Sequence, residues 1–231
     1  MRSVNAVFGK QIRILTKNKE MLVQFLLFPA VAIIFNLLIG EQEGMAENMF
    51  VKMMAGVFAG MALITTSAGI IAEDKERKSL RLLIMGGVKP QAYLIGVIGA
   101  IMLGATFSSL AFGFAASFSG IEFFRFLVIM MLGAIASTLL GATVGILAKN
   151  QQAATSLGMP VAMILGFGPM ISVFNETVGR VLYPFYTLQI NVVIENAAES
   201  ILRPVLIVLG NIVVLTVLFV IAYRKKGLGN A

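Results

Sequence analysis

The chain has 231 residues, of which 58% are hydrophobic and only 13% charged, against about 45 to 50% and about 25% in an average soluble domain. This composition excludes a soluble domain, and the absence of His and Cys excludes imidazole bases, thiolates and metal sites built from nitrogen or sulfur ligands. The net charge of +7 comes with no basic domain, so we expect no nucleic-acid partner.

The first 20 residues predict a basic amphipathic helix. At 100° per residue, Val4, Val7, Phe8, Ile12 and Leu15 fall within one arc, and Arg2, Lys10, Arg13 and Lys17 lie opposite. Such a helix is suited to the headgroup layer of anionic membrane lipid. The alternative is a simple positively charged anchor for the first span. No cleavage site for a signal peptide follows, so we expect the first span to remain.

Six apolar segments are each long enough to cross a hydrocarbon core of about 30 Å. They cover approximately residues 21–39, 49–72, 91–118, 123–148, 156–174 and 204–223. The sequence therefore predicts an all-α polytopic membrane protein with six transmembrane helices, forming a single domain over residues 1–231. Pro29 in the first span, and Pro160 and Pro169 in the fifth, are candidates for gating kinks, although plain structural kinks explain them equally well.

The distribution of basic residues predicts the orientation of the spans. Fourteen of the 18 Lys and Arg residues fall on the side of both termini, and only Lys52, Arg125, Arg180 and Arg203 fall on the other. Because basic residues concentrate on the cytoplasmic side, both termini are predicted to be cytoplasmic.

Small residues recur at every fourth position within three spans. The series are Gly56 and Gly60; Gly96, Ala100 and Gly104; and Gly133, Ser137, Gly141 and Gly145. This spacing places them on one helix face and favours close packing between helices of the same chain.

The loop at residues 73–90 is the sizeable cytoplasmic segment between spans. Residues 79–85 can form two helical turns that present Leu80, Leu83 and Ile84 together, ended by Gly86 or Gly87. Residues 73–78 offer charges for ion pairs. The pattern indicates a helix that docks on a partner protein. The alternatives are that its apolar face rests on the membrane surface, or that the segment is a solvated charged loop.

The sequence resembles the permease subunit of a type-two (ABCG-like) ABC exporter. The resemblance depends on the amphipathic helix, the six spans with cytoplasmic ends, and a pattern after span two made of Glu76, Ser79, Leu80, Leu82, Leu83, Gly87, Val88, Tyr93 and Gly96. Lys78 stands where these permeases usually have Gly, and Arg81 stands at a position that is often acidic.

This resemblance implies that residues 73–90 couple the permease to a separate cytoplasmic ATPase subunit, which holds the ATP and Mg. The implied coupling residues are Glu73, Glu76, Arg77, Ser79, Leu80, Leu83 and Gly87, and Phe8, Arg13 and Lys17 belong to the implied connecting helix at residues 1–20. It also implies a second permease chain, the same or paralogous, in the inner or plasma membrane of a prokaryote.

Residues 175–203 form an outer connection that is too long and too apolar for a structureless loop. Tyr183, Pro184, Phe185 and Tyr186 form an aromatic group suited to the headgroup level. We expect a re-entrant or interfacial helical pair, similar to the external helices of the same permeases, with a simple interfacial belt as the alternative.

Missing motifs narrow the function further. The sequence contains no phosphate-binding loop of the G-x-x-x-x-G-K-[ST] type, so we expect no ATP site, no catalytic residue and no cofactor in this chain. It also contains no Asp or Glu in the middle of a span, which argues against a pump driven by protons or sodium ions. We expect export of a hydrophobic or amphipathic substrate (drug, lipid or peptide) by alternating access. The alternatives are a substrate-binding membrane subunit of an importer, or a channel-like pore lined by Thr65, Thr66 and Ser67.

Overall fold

The structure, a computed structural model, describes residues 2–17, 19–39, 47–196 and 200–227, and these residues contain helices and no strand. The helices are α1 (Arg2–Lys17), α2 (Lys19–Ile39), α3 (Met49–Val57), α4 (Leu63–Glu76), α5 (Ser79–Met85), α6 (Pro90–Ala115), α7 (Gly120–Leu147), α8 (Gln151–Ser172), α9 (Glu176–Leu182), α10 (Tyr186–Glu195) and α11 (Leu202–Ala222). A π-helical turn, Phe58–Ala62, joins α3 to α4, and a second, Tyr223–Gly227, follows α11.

The prediction of an all-α protein with six spans is confirmed. Six described helices are long and apolar enough to cross a membrane: Leu22–Ile39, Met49–Glu76, Gln91–Ala115, Gly120–Leu147, Gln151–Ser172 and Leu202–Lys225. The second span combines α3, the π-helical turn and α4 into one continuous helix. Because successive spans alternate in direction, one end of the bundle carries α1, α5, Lys149 and residues 223–227, and we call it the basic end.

The second span forms the centre of the bundle. Its most apolar stretch is 78% buried, compared with 17% in the first span and 22% in the sixth. The small residues of α7 permit this burial, because a Cβ atom on Gly141 would lie 2.3 Å from the carbonyl oxygen of Ile64, and one on Gly145 would lie 2.7 Å from that of Ala68. The predicted packing within the chain is confirmed.

The prolines do not interrupt the helices that contain them. α2 continues through Pro29, and α8 continues through Pro160 and Pro169. A proline removes one backbone hydrogen bond, which a transmembrane helix tolerates when the turns on either side are held by neighbouring helices. The irregular backbone lies instead in the second span, where Phe58 packs its ring between those of Phe25, Phe28 and Phe112.

Helix α1 is amphipathic as predicted, but its apolar arc is covered by protein. Val7 and Leu15 are buried, and Val7 and Phe8 lie directly over Gly96 and Gly99 of α6. A Cβ atom on Gly96 would come within 2.6 Å of the Val7 side chain. The contacts that hold α1 are therefore made largely with α6.

The connection between the fifth and sixth spans contains α9 and α10, and α10 packs inside the bundle. Its Ile190 side chain occupies the space above Gly133 of α7, and the hydroxyl of Tyr186 lies 2.8 Å from that of Ser137. Burial raises the pKa of Tyr186. Tyr183 and Phe185 are exposed, as expected for the headgroup level, whereas Tyr186 differs from that expectation because it is buried. Residues 197–199 lie outside the described part of the chain.

Candidate functional site

A buried carboxylate lies at the basic end, where four helices meet. Asp74, in the last turn of α4, is 3% exposed. Its Oδ1 accepts a hydrogen bond from the Ser79 hydroxyl at 2.8 Å and pairs with the Lys10 ammonium. Its Oδ2 accepts from Gln11 Nε2 at 2.8 Å and from the Tyr93 hydroxyl at 2.9 Å. We call these five residues the Asp74 cluster.

The Asp74 cluster joins elements that are distant in sequence. Lys10 and Gln11 lie on α1, Ser79 is the first residue of α5, and Tyr93 lies in the first turn of α6. Hydrogen bonds to a charged group are about twice as strong as those between neutral groups, and they are strongest away from water. The cluster therefore ties the short helix α5 to α1, to the second span and to the third span.

The end of α4 is also attached to two further spans. Lys75 Nζ donates hydrogen bonds to the backbone carbonyls of Ile146 and Ala148, both at 2.8 Å, at the carboxyl end of α7. Glu76 Oε2 accepts from the backbone N–H of Gln151 at 3.0 Å, at the amino end of α8. A cation at a carboxyl end and an anion at an amino end both complement the helix dipole. The second span is thus held at this end by α7 and α8 as well.

The face that α5 exposes differs from the expected one. Leu80 is 3% exposed and belongs to the core, and Leu83 packs against that core. The exposed apolar side chains are Leu82 and Met85, at 64% and 66%. The hydrogen bond from Ser79 to Asp74 holds the first turn of α5 so that Leu80 points inward. The side chain of Ile84 lies outside the described part of the structure.

The other predicted coupling residues lie around α5. Glu73 and Arg77 form a salt bridge at 2.9 Å on the surface of α4. Gly87 follows α5 with a φ of 80°, a left-handed conformation that glycine adopts without strain. The backbone N–H of Val88 donates to the Leu83 carbonyl at 3.0 Å, which completes the turn after the helix. The predicted helix over residues 79–85 and its glycine stop are confirmed.

The connecting-helix residues divide between surface and interior. Arg13 and Lys17 are exposed, whereas Phe8 is half-buried against α6. The roles of Gln11 and Asp74 were not predicted from the sequence. Gln11 falls in the middle of the apolar arc of α1, and a polar side chain in that position is a signal for a buried hydrogen-bonding partner.

A second candidate site is a polar pocket of about 290 Å³ that opens between α2, the second span and α8. Its lining consists of Gln24, Phe28, Met61, Ala62, Thr65, Thr66, Gly69, Gln151, Thr155 and Met159. The Thr66 hydroxyl donates to Gln24 Oε1 across the pocket. Ser67 is absent from this lining, because its hydroxyl bonds to the Leu63 carbonyl and faces α7. Within the described residues, no group of three acidic side chains could hold a metal ion.

The comparisons with known proteins identify a family. The family model described as ABC-2 family transporter protein matches residues 14–222. No curated protein matches the chain. The matched region begins within α1, ends with the last residue of α11, and contains Asp74, Ser79 and Tyr93.

Members of this family are membrane subunits that are normally not catalytic themselves and that work with ATPase subunits. The match extends over most of the chain, and the six spans agree with it. The chain therefore belongs to the ABC-2 transporter family and is a multi-pass membrane permease of an ABC transporter.

Proposed function

We propose that this permease is the transmembrane subunit of an ATP-driven exporter that moves a hydrophobic or amphipathic substrate out of the cytoplasm. The observation that carries the proposal is the Asp74 cluster, which links α5 to three other helices through hydrogen bonds to one buried carboxylate. Such a linkage transmits a displacement of α5 into the bundle.

The proposed partner is a cytoplasmic ATPase subunit that docks at the basic end. α5 offers it two exposed apolar side chains, Leu82 and Met85, and Arg77 and Lys78 are exposed beside them. A short helix with apolar anchors and a charged approach suits a groove on a partner protein. ATP and Mg²⁺ would be bound by that subunit, because this sequence holds no phosphate-binding loop.

The proposed cycle is alternating access. Closure of the ATPase pair on ATP displaces α5, and the Asp74 cluster carries that displacement to α1, α4 and α6 as rigid elements. The attachments of Lys75 and Glu76 extend the movement to α7 and α8. The functional unit would be a pair of permease chains, the same or paralogous, with both termini in the cytoplasm of a prokaryote.

The polar pocket supports an amphipathic substrate. Phe28, Met61 and Met159 supply apolar surface, and Thr65 and Thr155 supply hydroxyl groups. None of the residues that line the pocket carries a formal charge. Flexible methionines adapt to ligands of different shape, whereas a few polar groups fix orientation. This lining suits neutral or amphipathic molecules better than strongly charged ones.

The direct test is reconstitution of the full chain with a candidate cytoplasmic ABC ATPase subunit from the same organism. In proteoliposomes, the complex should hydrolyse ATP and expel an amphipathic dye, and an ATPase variant with a disabled phosphate-binding loop should do neither. The purified chain alone should hydrolyse no ATP. Hydrolysis by the verified pure chain, or equal dye movement without ATP, would contradict the proposal.

A further inference from the structure

An apolar groove of about 340 Å³ opens on the outer surface of the bundle where α1, α2 and α6 meet. Its floor is formed by buried Phe25 and Ala100, and Gly104 permits this packing because a Cβ atom there would lie 2.8 Å from the Phe25 ring. Its walls include Leu26 and Phe107, which are largely exposed. No described helix covers the groove.

The groove offers an occupant almost no polar contact. Its two hydroxyl groups are engaged, because Ser108 donates to the Phe25 carbonyl at 2.7 Å and Thr16 donates to the Ile12 carbonyl at 2.9 Å. The remaining side chains of the lining are aliphatic, aromatic or proline. The groove therefore suits an unbranched hydrocarbon.

The length of the groove matches one leaflet of a membrane. Its lining follows α6 from Ala100 to Ala111, about 16 Å at the helical rise of 1.5 Å per residue. This length is about half the roughly 30 Å thickness of a hydrocarbon core. The end of the groove at Ile12 and Thr16 lies on α1, toward the basic end.

Two cations of α1 lie beside Thr16, at that end of the groove. Arg13, Thr16 and Lys17 are neighbours on the surface of α1, at spacings of three and four residues, and all three are exposed. Lys19, at the start of α2, is exposed as well. Helix α1 contains no acidic residue. The groove is therefore apolar along its length and has positively charged side chains beside the end that lies toward the basic end.

We propose that this groove is a binding site for a single anionic phospholipid of the leaflet at the basic end. One acyl chain would lie against Phe25, Ala100 and Leu103, and the phosphate would be held by Arg13 and Lys17. This site is separate from the polar pocket and from the Asp74 cluster, and it does not depend on the direction of transport. Its consequence is that lipid joins α1 to the first span.

The test uses the purified full chain, stripped of lipid in detergent, and native mass spectrometry. Phosphatidylglycerol and phosphatidylcholine with identical acyl chains are titrated in parallel. The wild type should bind phosphatidylglycerol more tightly. Replacing both cations (Arg13→Gln with Lys17→Gln) should lower the affinity for phosphatidylglycerol about 25-fold, because each cation near an anionic lipid raises that affinity about fivefold. Phosphatidylcholine binding should change little.

Two further variants separate the contribution of the phosphate contact to lipid affinity from the contribution of the apolar groove. Ala111→Phe fills the deep end of the groove and should lower the affinity for both lipids alike. The expected loss is about fourfold for each methylene of the acyl chain that is excluded from the groove. The matched control, Lys149→Gln with Arg224→Gln, removes two exposed cations at the same end and should leave both affinities unchanged. If the double Arg13 and Lys17 variant is not recovered, Lys17→Gln alone should show a fivefold loss.

Three results would overturn the site. Equal affinity of the wild type for both lipids would show that the site does not select a headgroup of net negative charge. Unchanged phosphatidylglycerol binding in the Arg13 and Lys17 variant would show that these cations do not bind the headgroup. A shift from dimer to monomer in Ala111→Phe, with lipid binding intact, assigns the groove to a contact between two copies of the chain.

Discussion

Lys10 on α1 and Asp74 at the end of α4 form an ion pair although 64 positions separate them in the sequence. The side chain of Asp74 is 4% exposed and that of Lys10 is 30% exposed, so the pair is largely shielded from water. The carboxylate also accepts hydrogen bonds from Gln11, Ser79 and Tyr93. This contact ties α1 to the second span at the basic end.

The Lys10 and Asp74 pair should show strong coupling in a double-mutant cycle. Lys10→Met leaves a buried carboxylate without its cation, which typically costs about 3 kcal/mol. Adding Asp74→Asn removes that charge, so the double variant should be more stable than Lys10→Met alone. The measurement is the apparent melting temperature of the full chain in detergent.

The exposed ion pair between Glu176 and Arg180 serves as the matched control for that cycle. Exposed pairs contribute little, so replacing either residue by Gln should change stability by less than about 1 kcal/mol. If the Lys10 and Asp74 changes proved additive, the two residues would not form a functional pair.

Truncation of α5 should separate docking from folding. Leu82→Ala removes an exposed apolar side chain, so it should leave the permease folded and reduce its capture of the ATPase, since a docking anchor typically contributes about 2 kcal/mol or more. Leu80→Ala removes a buried side chain and should lower thermal stability instead. Both effects are read by pull-down of the ATPase and by melting temperature.

Leu147→Ala is the control for this pair, because Leu147 is an exposed leucine at the same end of the bundle. It should retain ATPase capture and stability. Loss of capture by Leu80→Ala at unchanged stability, with Leu82→Ala behaving as wild type, would reverse our assignment of the docking face.

Lys78 adopts a left-handed backbone conformation, with a φ of 55°. This conformation costs a residue with a side chain about 1 kcal/mol or more, and glycine does not incur that cost. Lys78→Gly should therefore raise the melting temperature or leave it unchanged, whereas Lys78→Val should lower it. Greater stability of the Val variant would contradict the backbone assignment.

The hydroxyl of Tyr186 should stabilise α10 inside the bundle. Tyr186→Phe removes its hydrogen bond to Ser137 at 2.8 Å, with an expected cost of about 1 kcal/mol. Tyr183→Phe is the matched control, because the Tyr183 side chain is partly exposed and should tolerate the change. The measurement is hydrogen exchange of residues 186–195. Faster exchange in Tyr183→Phe than in Tyr186→Phe would show that α10 is held elsewhere.

The spans could be predicted from sequence because hydropathy over about 20 residues is a local property. The helix at residues 79–85 and its stop at Gly87 could likewise be predicted from the local sequence. The orientation of that helix could not. Spacing shows that Leu80 and Leu83 share a face, but which face points inward depends on the bond from Ser79 to Asp74.

The Asp74 cluster could not be predicted because its members come from three separate parts of the sequence. Residues 73–78 resemble a solvated charged loop, yet α4 extends to Glu76 and carries Asp74 into the interior. Its burial is produced by α1 packing on α6, a tertiary contact. Nothing in the local sequence predicts the π-helical turn at Phe58–Ala62.

Docking of α5 on a separate ATPase can be tested by site-specific cross-linking. A photoreactive amino acid is placed at position 82, and at position 147 as the control, in the full chain coexpressed with the ATPase. We expect a permease–ATPase product from position 82 and little or none from position 147. Absence of the product from position 82 in a complex that still hydrolyses ATP and transports its substrate would show that α5 is not the docking helix.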